Sequence, residues 1–130
     1  MPVELSEFQI ALLRILWGRG EASAAEVHRV LAPTRPVAIT TVATMLQRLE
    51  KKGLVTHRAE GRTFHYQPVV REDDVRRSML GGLLRSLFAD DPAAVVSELL
   101  SRRDVTADDV ARMQTLIAEA GGDAERNDDR

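Results

Sequence analysis

Apolar residues recur at helical spacing over most of this chain, and one stretch sets the order of the rest. From Ile39, the residues Val42, Met45, Leu46 and Leu49 follow at i+3, i+6, i+7 and i+10, a single apolar stripe of a helix. The opposite face carries Thr40, Thr44, Gln47 and Lys51, with Thr41 and Arg48 on its flank. None of these six side chains is acidic. All are hydroxyl, amide or cationic donors, the types that reach phosphates and base edges in a DNA major groove. Gly53 supplies the left-handed residue that stops a helix, and Leu54-Val55 opens an extended run. Alone, this is also the pattern of an ordinary amphipathic helix with a solvated polar face. Its neighbours decide between the two readings.

Two helices precede it. Ser6 with Gln9 forms the pattern of a capping box, and Leu5 with Ile10 that of a hydrophobic staple. Phe8, Leu12, Leu13, Ile15, Leu16 and Trp17 make this first helix apolar over a wide face, which places it centrally; Gly18-Arg19-Gly20 ends it. Ser23 and Glu26 repeat the box ahead of Val27, Val30 and Leu31, and Pro33 and Pro36 turn the chain. Three helices with two short connections are the count for a helix-turn-helix domain. After Gly53 the period changes. Residues 54–58 read as a strand, 59–62 as a turn with Gly61 at positive φ, and 63–67 as a second strand stopped by Pro68. A hairpin in this position reads as a wing, with Arg58 and Arg62 where a DNA backbone would pass.

The remainder is helical again. Glu72-Asp73-Asp74 begins a helix carrying Val75, Met79, Leu80, Leu83, Leu84, Leu87 and Phe88. Asp91-Pro92 caps the next, with Val95, Val96, Leu99 and Leu100. Thr106 and Asp109 start a third, with Val110, Met113, Leu116 and Ile117 as its stripe. These short elements bring many large apolar residues, and a second copy of the chain is the expected cover. Met79, Leu83, Leu84, Leu87, Phe88, Leu99 and Leu116 are the candidate dimerisation residues. Residues 121–130 offer nothing apolar beyond alanine and read as a disordered tail. The expected organisation is therefore mainly α with a small β-hairpin: a winged helix-turn-helix domain over 1–70, a helical dimerisation domain over 71–120, and the tail.

Charge sharpens this division. Residues 1–70 hold nine Lys/Arg against six Asp/Glu, a net of +3, whereas residues 71–130 hold nine against fourteen, a net of −5. The basic excess concentrates between Arg35 and Gln67, which suggests an anionic partner for the first half. With no cysteine in its 130 residues, the chain has no disulfide framework, thiolate metal site or cysteine nucleophile. No signal pattern and no membrane-length apolar run appear, so a cytoplasmic protein without membrane insertion is expected. Neither a nucleophile elbow nor a glycine-rich phosphate loop is present, and neither enzymatic activity nor a cofactor is expected. His57 and His65 can be imagined facing each other across the hairpin and sharing a metal; without a third ligand, no metal site is assigned.

The order helix, helix, Thr40-Thr41-Val42, then Leu46-Gln47-Arg48-Leu49-Glu50-Lys51-Lys52-Gly53-Leu54-Val55, Gly61-Arg62 and Tyr66 resembles the penicillinase-repressor family of BlaI/MecI type. The resemblance covers roughly residues 4–120. It implies a winged-helix domain, a helical dimerisation domain and repression at palindromic operator DNA by a homodimer, as part of an antibiotic response. In well-known members a membrane sensor protease triggers cleavage at an Asn-Phe pair in the middle C-terminal helix; that sensor or a downstream protease is the implied further partner. Here the comparable stretch reads Val96-Ser97-Glu98-Leu99, without the pair. A cut around residues 95–100 is still the expected route of release, with another signal such as a small-molecule ligand as the alternative and a metal the least expected. The copper-sensing branch, with its cysteine-rich tail, does not match.

Thr40, Thr41, Thr44, Gln47 and Arg48 are accordingly expected in the major groove, and Lys51, Arg58 and Arg62 on phosphates. The rival from another function class is a winged helix that binds protein. The acid-free polar face of the third helix speaks against it, because protein-binding faces more often expose aromatics.

Overall fold

In the computed structural model, which describes residues 4–128, the first helix is the centre of the N-terminal unit. Helix α1 (Glu7–Arg19) buries Leu12, Leu13 and Leu16 completely. Its start is the capping box expected from the sequence: Gln9 N donates to Ser6 Oγ at 3.2 Å, and Ser6 N donates to Gln9 Oε1 at 3.1 Å. A two-residue strand β1 (Ala22–Ser23) leads into α2 (Ala24–Leu31), and α3 (Ile39–Lys51) follows the proline-containing turn. His28 Nε2 lies 2.9 Å from the Val37 carbonyl oxygen and pins that turn to α2.

Strands β2 (Val55–Glu60) and β3 (Thr63–Pro68) form the hairpin, and the antiparallel sheet has the order β1-β3-β2. The expected hairpin is therefore part of a three-stranded sheet. The turn is also tighter than residues 59–62. Glu60 pairs with Thr63, leaving Gly61 and Arg62 as the loop, with Gly61 at φ 63°. Positive φ at the first of two loop positions suits a type II′ turn.

The core of this unit joins Leu12, Leu13, Leu16, Val27, Leu31, Val42, Leu46, Leu49, Leu54, Val55 and Tyr66. Two residues of the expected stripes lie outside it: Ile39 is 45% exposed and Val30 46%. Ile39 is the first residue of α3, with no preceding turn to cover it. The end of α3 is a Schellman motif. Gly53 N donates to Glu50 O at 2.9 Å and Leu54 N to Leu49 O at 3.0 Å, with Gly53 at φ 80°. Leu54, the residue after the glycine, is buried with Leu49. This one motif stops the helix and aims the chain into β2.

Helix α4 (Glu72–Leu87) follows β3, α5 (Pro92–Leu100) follows it, and α6 (Ala107–Asp128) is the last. The chain forms two compact units, Met1–Gly82 and Leu83–Arg130. Two contacts draw the start of α4 into the first unit: Val75 is buried, and Trp17 Nε1 donates to the Val70 carbonyl oxygen at 2.9 Å.

In the second unit, Asp91 caps α5, accepting from Ala93 N at 3.1 Å behind Pro92. Thr106 and Asp109 form the box of α6, at 3.0 and 3.1 Å. Helix α6 continues through Asp128, where the composition of 121–128 suggested disorder. Extending an existing helix requires no new nucleation. The last two residues of the expected tail lie outside the described residues. Among those described, no helix is long and apolar enough to cross a membrane.

Replacing Gly53 by alanine forces a Cβ into the left-handed region and is expected to cost about 1–2 kcal/mol. Urea unfolding of the two proteins checks this. An unchanged midpoint would show that the helix end relaxes without the glycine.

Candidate nucleic-acid interface

Because Val42, Leu46 and Leu49 are turned into the core, the other face of α3 is committed to solvent. Thr40, Thr41, Thr44, Gln47, Arg48 and Lys51 are all exposed there. Thr40, Thr41, Thr44 and Arg48, with half-buried Met45, line one open depression. Among the described residues, none of these polar side chains has a hydrogen bond or ion pair within the fold. Ala38 provides no side-chain cap for the helix start, so no side chain covers the first N–H groups of α3. Uncapped amides at a helix N-terminus favour an anion.

Arg62 stands at the tip of the hairpin, exposed and without a described carboxylate partner. Arg58, grouped with it on sequence grounds, is differently placed. Its Nη2 and Nε reach the Glu21 carboxylate at 2.6 and 2.9 Å, and Nη1 reaches Glu60 at 3.2 Å. Gln67 Nε2 donates to the same Glu21 at 2.6 Å. The Arg58 charge is thus offset inside the unit, where it braces the wing against the residue preceding β1. The hydrogen bond from Arg58, then that from Gln67, hold the Glu21 carboxyl at about 2, below its ordinary 4.5.

The two hairpin histidines do not share a face. His57 is paired with Tyr66 across the strands, and His65 with Arg58. Cross-strand partners share a side and successive residues alternate, so the imidazoles point to opposite sides of the sheet. No group of three or more metal-ligating side chains occurs among the described residues. His57 instead contacts Glu50 in the last turn of α3, at 2.7 and 2.8 Å, and His65 lies 3.4 Å from Glu60. Lys52, not singled out by the sequence, donates to Gln9 Oε1 at 3.3 Å and to the Glu4 carbonyl at 3.0 Å, tying the end of α3 to the start of α1.

Comparison with known proteins points the same way. The family model described as penicillinase repressor matches residues 5–119. The transcriptional regulator BlaI of Mycobacterium tuberculosis is 32% identical over 117 residues, covering 88% of this chain and 83% of that protein. The penicillinase repressor of Bacillus licheniformis is 24% identical over 116 residues, covering 89% and 91% respectively. A solution structure of the DNA-binding domain of the repressor BlaI superposes with a TM-score of 0.50 at 33% identity, over 57% of this chain and 93% of that one.

The Glu21 carboxylate makes the first unit sensitive to acid in a defined direction. Its folded value is depressed, so the stability it contributes is present above pH 4.5 and fades as the pH falls towards about 2. Unfolding measured at a series of pH values should show wild type more stable than Glu21→Gln near neutrality and equal to it near pH 2. A gap that does not change with pH would place the effect of the substitution elsewhere.

Proposed function

The chain belongs to the penicillinase repressor family, whose members are DNA-binding transcriptional repressors rather than enzymes, and we propose that it is a homodimeric repressor of transcription. In this reading α3 lies in the major groove of operator DNA and the wing holds the adjacent backbone. The observation that carries it is the exposed face of α3, six donors without a carboxylate, beside the unpaired Arg62. Thr40, Thr41, Thr44, Gln47 and Arg48 are the candidates for base edges and nearby phosphates, and Lys51 and Arg62 for phosphates. Arg58, committed to Glu21, serves as a brace of the wing.

Base-reading and phosphate contacts separate in mutants. Gln47→Ala and Arg48→Ala should each lose about 1–3 kcal/mol of discrimination between the preferred duplex and a scrambled one. Arg62→Ala should weaken binding to both alike. The same loss of preference in all three variants, at fixed salt, would contradict this division of labour.

The homodimer is supported by what the second unit lacks. None of residues 83–122 is buried, and Leu87, Leu116 and Ile117 are 69%, 63% and 62% exposed. Leu83 and Leu99 are exposed too and Leu84 and Phe88 only half-buried, as is Met79 in the part of α4 that belongs to the first unit. Helices with such faces need a cover, and a self-complementary patch on a second copy supplies it with closed symmetry. Two copies on half-sites roughly one helical turn apart, about 34–36 Å, double the phosphate contacts. A cut within α5, which exposes Val96, Leu99 and Leu100, would divide this face and release the pair; without an Asn-Phe bond it would fall at a different sequence from that of well-known members.

Replacing Leu83 and Leu87 by aspartate should give monomers in sedimentation and weaken DNA binding by at least tenfold. A wild-type chain that is monomeric at micromolar concentration would overturn the dimer.

A further inference from the structure

The wing is joined to the last turn of α3 by a cluster that the proposed contacts to DNA do not use. The Glu50 carboxylate lies 2.7 and 2.8 Å from His57 Nδ1 through its two oxygens. An ionised carboxylate only accepts, so Nδ1 carries the proton and donates. A face of the imidazole stacks on Phe64, with centroids 4.2 Å apart and planes inclined by 23°. Tyr66, the cross-strand partner of His57, lies 5.6 Å away, and burial followed by the Glu50 charge raises its phenol above the ordinary value. Both members of the pair are half-buried, at 30% and 32% side-chain exposure. This cluster occupies one face of the hairpin. The brace of Arg58 and Gln67 on Glu21 occupies the other.

Beyond the pairing of β1 with Tyr66 and His65 the wing is only two strands wide, and a two-stranded ribbon is marginal alone. From His57 to the tip at Arg62 is about 15 Å of strand, so a tilt of roughly 10° moves the guanidinium by roughly 3 Å, the full length of a hydrogen bond. Something must set that angle if Arg62 is to meet a phosphate while α3 lies in the groove. We propose that Glu50 and His57, backed by Phe64, are positioning residues that fix the pitch of the wing against α3. The proposal rests on the reading of α3 and the wing as the DNA interface.

The sign of the Glu50 effect separates this role from simple electrostatics. Removing a carboxylate near DNA should tighten binding by relieving repulsion from phosphates. Removing a strut should weaken it. The full-length chain is titrated with a duplex it has itself selected from a random-sequence pool, and with a scrambled duplex, over a range of KCl concentrations. The proteins are wild type, Glu50→Ala, Glu50→Gln, His57→Ala, Arg62→Ala and the double variant His57→Ala/Arg62→Ala. Glu50→Ala and His57→Ala should each weaken binding several-fold on both duplexes. Each should also lower the slope of log K against log salt by about 0.9 per chain bound, as Arg62→Ala does, because one phosphate contact is lost. The double variant should bind no more weakly than Arg62→Ala. Glu50→Gln keeps a carbonyl oxygen to accept from Nδ1 while losing the negative charge, and should bind at least as tightly as wild type with the wild-type salt slope. Thermal melts verify folding, and if His57→Ala is unfolded, Glu50→Ala decides alone.

Tighter binding by Glu50→Ala, an unchanged salt slope in the variants, or losses that multiply in the double variant overturn the strut while leaving the interface in place. A wild-type protein that shows no preference between the two duplexes overturns the interface reading, and the strut with it.

Discussion

Val42, Leu46 and Leu49 are removed completely from solvent, and the rest of the first unit depends on that burial. Each such side chain contributes about 1.5–3 kcal/mol relative to an exposed one, so the rotation of α3 about its own axis is fixed by the core. A helix with one face fixed inwards has the other fixed outwards. The donors on that outer face carry no bond within the fold, and nothing in the core compensates for changing them. The same burial locates the Schellman end at Gly53, which turns the chain into β2 and puts the hairpin beside α3.

Electrostatics then divide the cations into two groups. Arg58 and Lys52 have partners inside the fold, and Arg35 is held at 3.3 Å from Glu7 and over the Phe8 ring. Arg48, Lys51 and Arg62 have no such partners among the described residues. Surface ion pairs contribute little to stability, so the paired cations matter more for where they hold β1, α1 and the wing. The unpaired ones keep their charge available for an anion. A net charge of −2 is compatible with DNA binding on these terms, because the acidic excess lies beyond residue 70.

Much of this was legible in the residue pattern. The capping pairs Ser6/Gln9, Ser23/Glu26 and Thr106/Asp109, the proline after Asp91 and the glycine after Lys52 mark element ends by local chemistry, and local chemistry needs no knowledge of the fold. Strand β1 was not legible, since two residues carry no period. Its physical origin is the cap itself: Ser23 at φ −80° and ψ 165° has the extended backbone an N-cap requires, and the same backbone pairs with His65. The partners of Arg58 and His57 were also hidden. Glu21 is 37 residues from Arg58, and no spacing rule relates a side chain to one across a sheet. Nor does periodicity tell a helix face buried at home from one awaiting a partner, so the exposure of Leu83, Leu87 and Leu116 is visible only in the folded chain.

The outward face of α3 as the DNA-reading surface is tested most directly by a residue-level footprint in solution. Backbone amide NMR signals of the full-length protein are followed during titration with a duplex selected by the protein itself. Shifts concentrated in residues 39–51 and at the tip around Gly61 and Arg62, with Leu12, Leu13 and Leu16 unmoved, are the expected result. Shifts that spare α3 and gather on another face would contradict the assignment.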